Sequence, residues 1–188
     1  MASLRACLKG LTGSILAINV TFSAAAQEIA SDADALLDLL AAEADPGEAD
    51  RLADEVLERW SHTGSPALDL LMRRADEAML AEDWRRAVAH LTAVTDHAPD
   101  FAAGWAKRAE AFYQMDRFGA SLADIEQVLI LEPRHFEALA GLGIILEQLG
   151  SPEAALSALR SAQAIYPAEE NIAGAVERLE IQTGGRTL

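Results

Sequence analysis

The chain has 188 residues, 51% of them hydrophobic, and a net charge of −15. A chain of this length and apolar content can bury one substantial core. Its acidity argues against binding to phosphate backbones or anionic lipid headgroups, so we expect no nucleic acid and no membrane partner for the mature protein. The charge favours a basic or neutral protein or peptide partner, although it could equally serve solubility alone.

Residues 1–26 have the order of zones found in a signal peptide. Arg5 and Lys9 form the positive start, residues 11–22 (LTGSILAINVTF) form the apolar stretch, and small residues end at Ala26. We expect cleavage near Ala26, which leaves a mature chain with 13 basic and 30 acidic side chains and a net charge of −17. A retained membrane anchor is the alternative, but polar residues interrupt the apolar stretch.

The composition indicates where the mature protein is exported. The single cysteine, Cys7, lies in the signal, so the mature chain forms no disulfide and depends on packing. Only two of the 15 basic residues of the full chain are lysine, and alanine is abundant, which is typical of a GC-rich bacterial genome. We therefore predict a periplasmic protein.

Two amphipathic helices are predicted at the start of the mature chain, over residues 32–44 and 48–61, with a turn at Asp45-Pro46-Gly47 between them. Several of their apolar residues lie 34 residues before an apolar residue of the next segment: Ala41 before Ala75, Ala53 before Ala87, and Leu57 before Leu91. This spacing predicts that residues 27–66 form a degenerate helical hairpin at the end of a stack of repeats.

Three prolines spaced at that same interval, Pro99, Pro133 and Pro167, reveal an internal repeat. Aligned on them, residues 67–169 contain three units, 68–101, 102–135 and 136–169, each with two helical patterns of apolar residues. Small residues recur where the paired helices must approach closely, at Ala75, Ala109, Gly143, Ala87, Ser121 and Ala155. Residues 170–183 are predicted as a capping helix and 184–188 as a frayed tail. The predicted fold is an all-α solenoid of helix-turn-helix repeats.

The chain resembles the tetratricopeptide repeat (TPR) family, whose pattern combines a large apolar residue, a small residue, an aromatic, a second small residue and a closing proline. The middle unit matches it at Trp105, Ala109, Phe112, Ile125, Val128 and Pro133, and the third at Leu139, Leu142, Gly143, Ala155 and Pro167. The first unit departs from the pattern, with Arg74 where leucine is usual and Ala78 where tyrosine is usual. The resemblance identifies the fold specifically but gives almost no information about the partner.

No catalytic or metal-binding pattern is present in the sequence. The histidines are His62, His90, His97 and His135, and the two that share a helix face, His90 and His97, are separated by two turns, whereas a helical zinc pair requires about one. We therefore expect no enzyme activity, no metal and no cofactor.

The resemblance implies a partner-binding stripe along the first helix of each unit. The residues on it are Met72, Arg73, Asp76, Met79, Lys107, Glu110, Tyr113, Ile144 and Glu147. Arg73 and Lys107 hold equivalent positions in consecutive units and are expected to bind a carboxylate or the carbonyls of an extended peptide. The clamp with which some family members hold chaperone tails looks absent, because its positions carry Met72, Asp76 and Glu137. An ordinary solvated helix face is the alternative.

These observations favour a non-enzymatic interaction scaffold of the periplasm that binds a peptide segment or partner protein in the concave groove of the repeats. The alternative is an auxiliary or regulatory subunit of an exported enzyme complex, or an enzyme with an unrecognised site.

Overall fold

The computed structural model describes residues 33–184, which form nine helices and no strand. The chain divides into two compact units, residues 1–35 and 36–188, and only residues 33–35 of the first unit are described. The predicted export signal, residues 1–26, and residues 185–188 of the predicted tail lie outside the described residues.

The helices follow the predicted order and keep the repeat register. Helix α1 covers residues 33–42, and the others are α2 Pro46–Ser61, α3 Pro66–Leu80, α4 Trp84–His97, α5 Ala102–Gln114, α6 Phe118–Leu131, α7 Phe136–Gln148, α8 Pro152–Ile165 and α9 Glu170–Gly184. Helices α4, α6 and α8 begin at equivalent positions of consecutive repeats, as do α5 and α7. The pairs α3/α4, α5/α6 and α7/α8 form the three units, and α9 packs on α8 through Ile172, Val176 and Leu179.

Small side chains allow the paired helices to approach closely. Ala75, Ala109 and Gly143 of the first helices and Ala87, Ser121 and Ala155 of the second helices are all buried. The approach is tightest at Gly143, where an added Cβ would lie 2.5 Å from Leu159 Cγ and 3.2 Å from the carbonyl oxygen of Ala155. Glycine is therefore required here by space and not by backbone conformation.

A polar contact joins the first repeat unit (α3/α4) to the second (α5/α6). Arg108 on α5 donates two hydrogen bonds to Asp124 on α6, at 2.7 and 2.8 Å, and one to Thr95 Oγ1 on α4, at 2.8 Å. Its guanidinium also lies 4.7 Å from the centroid of the Trp105 ring. The side chains of Arg108 and Asp124 are both largely buried. A buried bidentate pair of this kind fixes the relative position of α4, α5 and α6.

Helix α2 does not continue the stack as the sequence predicts for residues 27–66. Within the described part of the chain it lacks extended packing against α3, and it contacts α5 instead. Its last turn places Trp60 on His135 at the start of α7, with ring centroids 4.6 Å apart and ring planes 18° apart. Near its first turn Asp50 accepts a hydrogen bond from the hydroxyl of Tyr166, just after α8. Helix α2 therefore lies across the second and third units.

The apolar stripe of α2 explains why this helix is buried but not where it packs. Ala49, Leu52, Ala53, Val56 and Trp60 are buried, as the amphipathic pattern requires. Trp60, at the end of that stripe, packs on His135 and Phe136 in this structure. Asp38 of α1 adds an ion pair with Arg134, at 2.9 Å, next to the same surface.

We predict that Gly143→Ala destabilises the protein by about 1–3 kcal/mol, because its Cβ would overlap Leu159. Gly174→Ala in the interior of α9 is the matched control, because no atom outside its immediate backbone lies within 4 Å of the added Cβ. There we expect a gain of about 0.5–1 kcal/mol from helix propensity. Urea unfolding measures both, and equal effects would contradict the close approach of α7 and α8.

The second prediction concerns the buried histidine beneath α2. His135 is 3% exposed, and its Nδ1 accepts a hydrogen bond from the amide of Ala138, which caps α7. Burial lowers the pKa of His135 from 6.5 to about 4. The unfolded chain thus binds a proton that the folded chain excludes, so this contribution to stability is complete above pH 6.5 and is lost as the pH falls towards 4.

His135→Asn keeps a capping acceptor and removes the titration. We expect the free energy of unfolding of the wild type, relative to this variant, to fall by up to roughly 3 kcal/mol between pH 7 and pH 4. Urea midpoints at half-unit pH steps measure the difference. Glu137, whose pKa is raised, titrates in both proteins with the opposite sign, so only the difference is informative. Parallel pH curves would contradict the assignment.

Candidate functional site

A cavity of about 350 Å³ lies between the first helices of the second and third units. Helix α5 supplies Ala106, Lys107, Glu110 and Tyr113 to one wall, and α7 supplies Glu137, Gly141 and Ile144 to the other. Ile125 and Ile145 contribute apolar surface, and Ile144 is 44% exposed. The cavity therefore combines apolar surface with carboxylates on both walls.

The lysine of this cavity is already paired. Lys107 Nζ donates to Asp76 on α3, across the contact between the first and second units. Less than half of each side chain is exposed, so the pair is only partly shielded from solvent. Because Asp76 neutralises Lys107, the cavity offers no unpaired cation at this position for a carboxylate ligand.

Three carboxylates set the electrostatic potential near α7. Glu137 keeps exposed surface, yet partial burial of its carboxyl group raises its pKa, and Glu110 raises it further. Lys107 acts in the opposite direction, and Asp54 on α2 adds a smaller repulsion. Burial is the largest cause of the raised pKa of Glu137, and the repulsion from Glu110 acts in the same direction, so both favour the neutral carboxyl group in the free protein.

Tyr113 is held in place at the end of the cavity nearer the carboxyl ends of α5 and α7. Its hydroxyl accepts a hydrogen bond of 2.6 Å from Gln148 Nε2, and its ring lies 5.7 Å from that of Phe118. The aromatic face is therefore oriented by two neighbours, as a rigid contact surface requires.

The structure brings together four of the nine predicted binding residues. Lys107, Glu110, Tyr113 and Ile144 line the cavity, and Asp76 borders it through Lys107. Whether these side chains contact a partner stays a prediction.

The other four predicted residues lie elsewhere. The prediction that Met72 contacts a partner is wrong, because this side chain is 8% exposed and packs in the core between α3 and α4. Met79 packs against the same core. Arg73 is exposed on α3 and does not line the cavity. Glu147 accepts a hydrogen bond from Arg178 of α9, at 2.7 Å, and joins the third unit to the cap. Of the expected pair of cations, Lys107 lines this cavity and Arg73 does not.

Sequence reasoning missed His135, Glu137 and Asp54 as neighbours of the site. His135 and Glu137 lie at the start of α7, before the part of that helix which the predicted stripe covers, and Glu137 entered only as a position of the absent clamp. The position of Glu137 in the first turn of α7, the first helix of the third repeat unit, was the signal that could have identified it. No feature of the sequence indicated that Asp54 lies near the cavity, because its position depends on where α2 packs.

Within residues 33–184 no group of three or more histidine, cysteine, aspartate or glutamate residues is arranged to hold a metal ion. None of the helices in this range combines the length and the hydropathy needed to cross a bilayer.

Comparisons with known proteins agree with this architecture. The family model for the tetratricopeptide repeat matches residues 106–170. A TPR repeat-containing protein of Rhizobium etli is 36% identical over 155 residues, which is 82% of this chain and 76% of that protein.

Solved structures of the same fold share less sequence. The TPR2B domain of yeast Sti1, in a complex with pHsp70, is 22% identical and covers 63% of this chain and 99% of its own, with a TM-score of 0.57. The Yersinia enterocolitica type III secretion chaperone SycD, with a peptide of the translocator YopD, is 13% identical and covers 63% of this chain and 96% of its own, with a TM-score of 0.60.

Proteins of this kind are generally non-enzymatic interaction modules, which makes a protein or peptide the expected class of partner. The similarity to the Rhizobium protein over most of both chains, together with the repeat model and the three stacked helix pairs, leads to one conclusion. The chain belongs to the tetratricopeptide repeat family.

Proposed function

We propose that this protein is a periplasmic interaction scaffold that holds an extended peptide segment of a partner protein in the cavity between α5 and α7. The observation that carries the proposal is the cavity itself, which is lined by the first helices of two consecutive repeats and has an apolar surface bordered by carboxylates. The SycD structure contains a peptide of another protein, which supports this class of ligand for the fold.

The charge distribution favours a basic peptide. Lys107 is neutralised by Asp76, whereas Glu110 and Glu137 repel each other across the cavity. A lysine or arginine side chain between them would relieve this repulsion and form charge-assisted hydrogen bonds. Ile144 and the ring of Tyr113 would contact the apolar residues on either side of that cation. The ligand we propose is therefore a segment with one basic residue flanked by apolar ones.

This selectivity is tested with a library of random extended peptides presented to the full chain. We expect enrichment of lysine or arginine next to apolar residues. Glu110→Gln or Glu137→Gln should lower affinity roughly 5–30-fold, because the amide keeps a neutral hydrogen bond and loses the charge assistance. Tyr113→Ala should also weaken binding while leaving helix content unchanged.

Glu126→Gln is the matched control, because Glu126 is exposed on α6 and does not line the cavity. Enrichment of acidic peptides, or equal losses for Glu126→Gln and the two cavity variants, would contradict a basic ligand in this cavity.

Export is part of the same proposal. We expect the protein in its native host to be released with the periplasmic fraction and to begin at Gln27 or within a residue or two of it, because residues 1–26 have the zones of a cleaved signal. Amino-terminal sequencing of the fractionated protein measures this. A chain that keeps Met1 in the cytoplasmic fraction would contradict it.

A further inference from the structure

Helix α2 occupies the repeats in the way that a partner helix would. Leu52, Val56 and Trp60, at spacings of four, are buried on one face of α2, while Arg51, Asp54 and Glu58 are exposed. An amphipathic helix that inserts anchors at such spacings is one of the standard modes of peptide recognition. Here the helix belongs to the same chain and is joined to α3 by residues 62–65 alone.

Aromatic contacts fix both ends of α2. Trp60 stacks on His135 and lies 6.2 Å from Phe136, which in turn makes an edge contact with Tyr166 at 5.5 Å. The hydroxyl of Tyr166 donates to Asp50, almost three turns before Trp60. The surface beneath α2 thus recognises one aromatic residue at one end of a helix and one carboxylate at the other.

This surface is continuous with the cavity between α5 and α7. His135 contacts Trp60 and also lines the cavity, and Asp54 of α2 acts electrostatically on Glu137 of the cavity wall. A ligand that follows the groove beyond the cavity would therefore meet α2.

The fit of α2 is imperfect in two respects. The indole Nε1 of Trp60 is buried without a hydrogen-bond partner, which leaves an unsatisfied donor in the docked state. Asp54 repels Glu137, which Glu110 already repels. Both features reduce the stability of the docked helix, and a helix with a basic residue at the position of Asp54 would avoid the second.

The connection from α2 to α3 is a short turn at Gly64, beside which Thr63 forms hydrogen bonds with Ser65 and Asp69. Gly64 has a φ of +68° with no atom within 4 Å of an added Cβ, so the backbone reverses there in open space. Movement of α2 about this turn would separate Asp50 from Tyr166, and the core clusters around Leu91, Ile125 and Leu159 in the described repeats contain no residue of α2.

We propose that the surface beneath α2 is a helix-binding site that α2 fills in this structure, and that an amphipathic partner helix with an aromatic anchor and a basic residue at the position of Asp54 takes its place. This inference rests on the proposed function, since it extends the same groove, and it names the second ligand element: a helix adjoining the basic extended segment.

The test uses fluorescein-labelled peptides with the sequence of residues 46–61 and the full chain as receptor. We expect the peptide to bind the full-length double variant Asp50→Ala/Trp60→Ala at least roughly tenfold more tightly than the wild type, whose own α2 occupies the site. A peptide carrying Asp54→Arg should bind several-fold more tightly than the native sequence, and one carrying Trp60→Ala should not bind. Equal affinity for variant and wild type, or for peptides with and without Trp60, would overturn the proposal.

A second measurement does not depend on how well the double variant folds. In the otherwise unchanged chain, Asp54→Arg should slow amide hydrogen exchange in α2 several-fold relative to wild type, because a cation would attract Glu137 where Asp54 repels it. Glu58→Arg makes the same charge change one turn later on α2, at a residue that is not among the charges acting on Glu137, and as the control it should have little effect. Equal exchange rates in the two variants would overturn the proposal.

The two tests separate this inference from the proposed function. Binding of extended basic peptides in the cavity without displacement of α2 would leave the proposed function standing and overturn the inference. Binding of the helical peptide to the opened variant, together with no selection for basic extended peptides, would overturn the proposed function alone.

Discussion

The close approach of paired helices at small residues is the constraint on which the other features depend. Gly143 lets α7 lie so near α8 that one added carbon would overlap Leu159, and Ala109 and Ala75 hold the equivalent positions in the other units. The contact recurs once in every repeat, so each first helix packs on the second helix of its own unit. Helices α5 and α7 also contact that of the preceding unit, and they face each other across the cavity. The cavity between α5 and α7 is a direct consequence of that arrangement.

The repeats are joined by polar contacts that use up several of the basic side chains. Arg108 pairs with Asp124, Lys107 with Asp76, and Arg178 with Glu147, each between different helices. In a chain with twice as many acidic as basic residues, this pairing leaves an excess of carboxylates on the surfaces that remain. Glu110 and Glu137 are the part of that excess that lies in the cavity.

The repeat register and the core could be predicted from the sequence because the spacing of small and apolar residues directly reflects which helix faces meet. The helix pairs begin where the repeat period places them, and Ala75, Ala109 and Ala155 are buried as expected. Periodicity was less informative about which side of a first helix faces the groove, since Met72 of the first unit packs in the core while Ile144, next to the buried Ile145, is open to solvent. The pairing of Lys107 with Asp76 also escaped prediction, because the two residues belong to different units and meet only once the units stack.

The position of α2 could not be predicted for a more general reason. An amphipathic pattern specifies that a stripe must be covered, but any apolar surface of suitable width can cover it. The repeat-spaced residues Ala53 and Leu57 are compatible with stacking on α3, and the aromatic surface at His135, Phe136 and Tyr166 competes for the same stripe. In this structure the aromatic surface prevails because Trp60 and Asp50 find partners there, although the indole donor stays unsatisfied and Asp54 faces like charge. A surface that accepts one helix despite such mismatches is suited to accept another that lacks them.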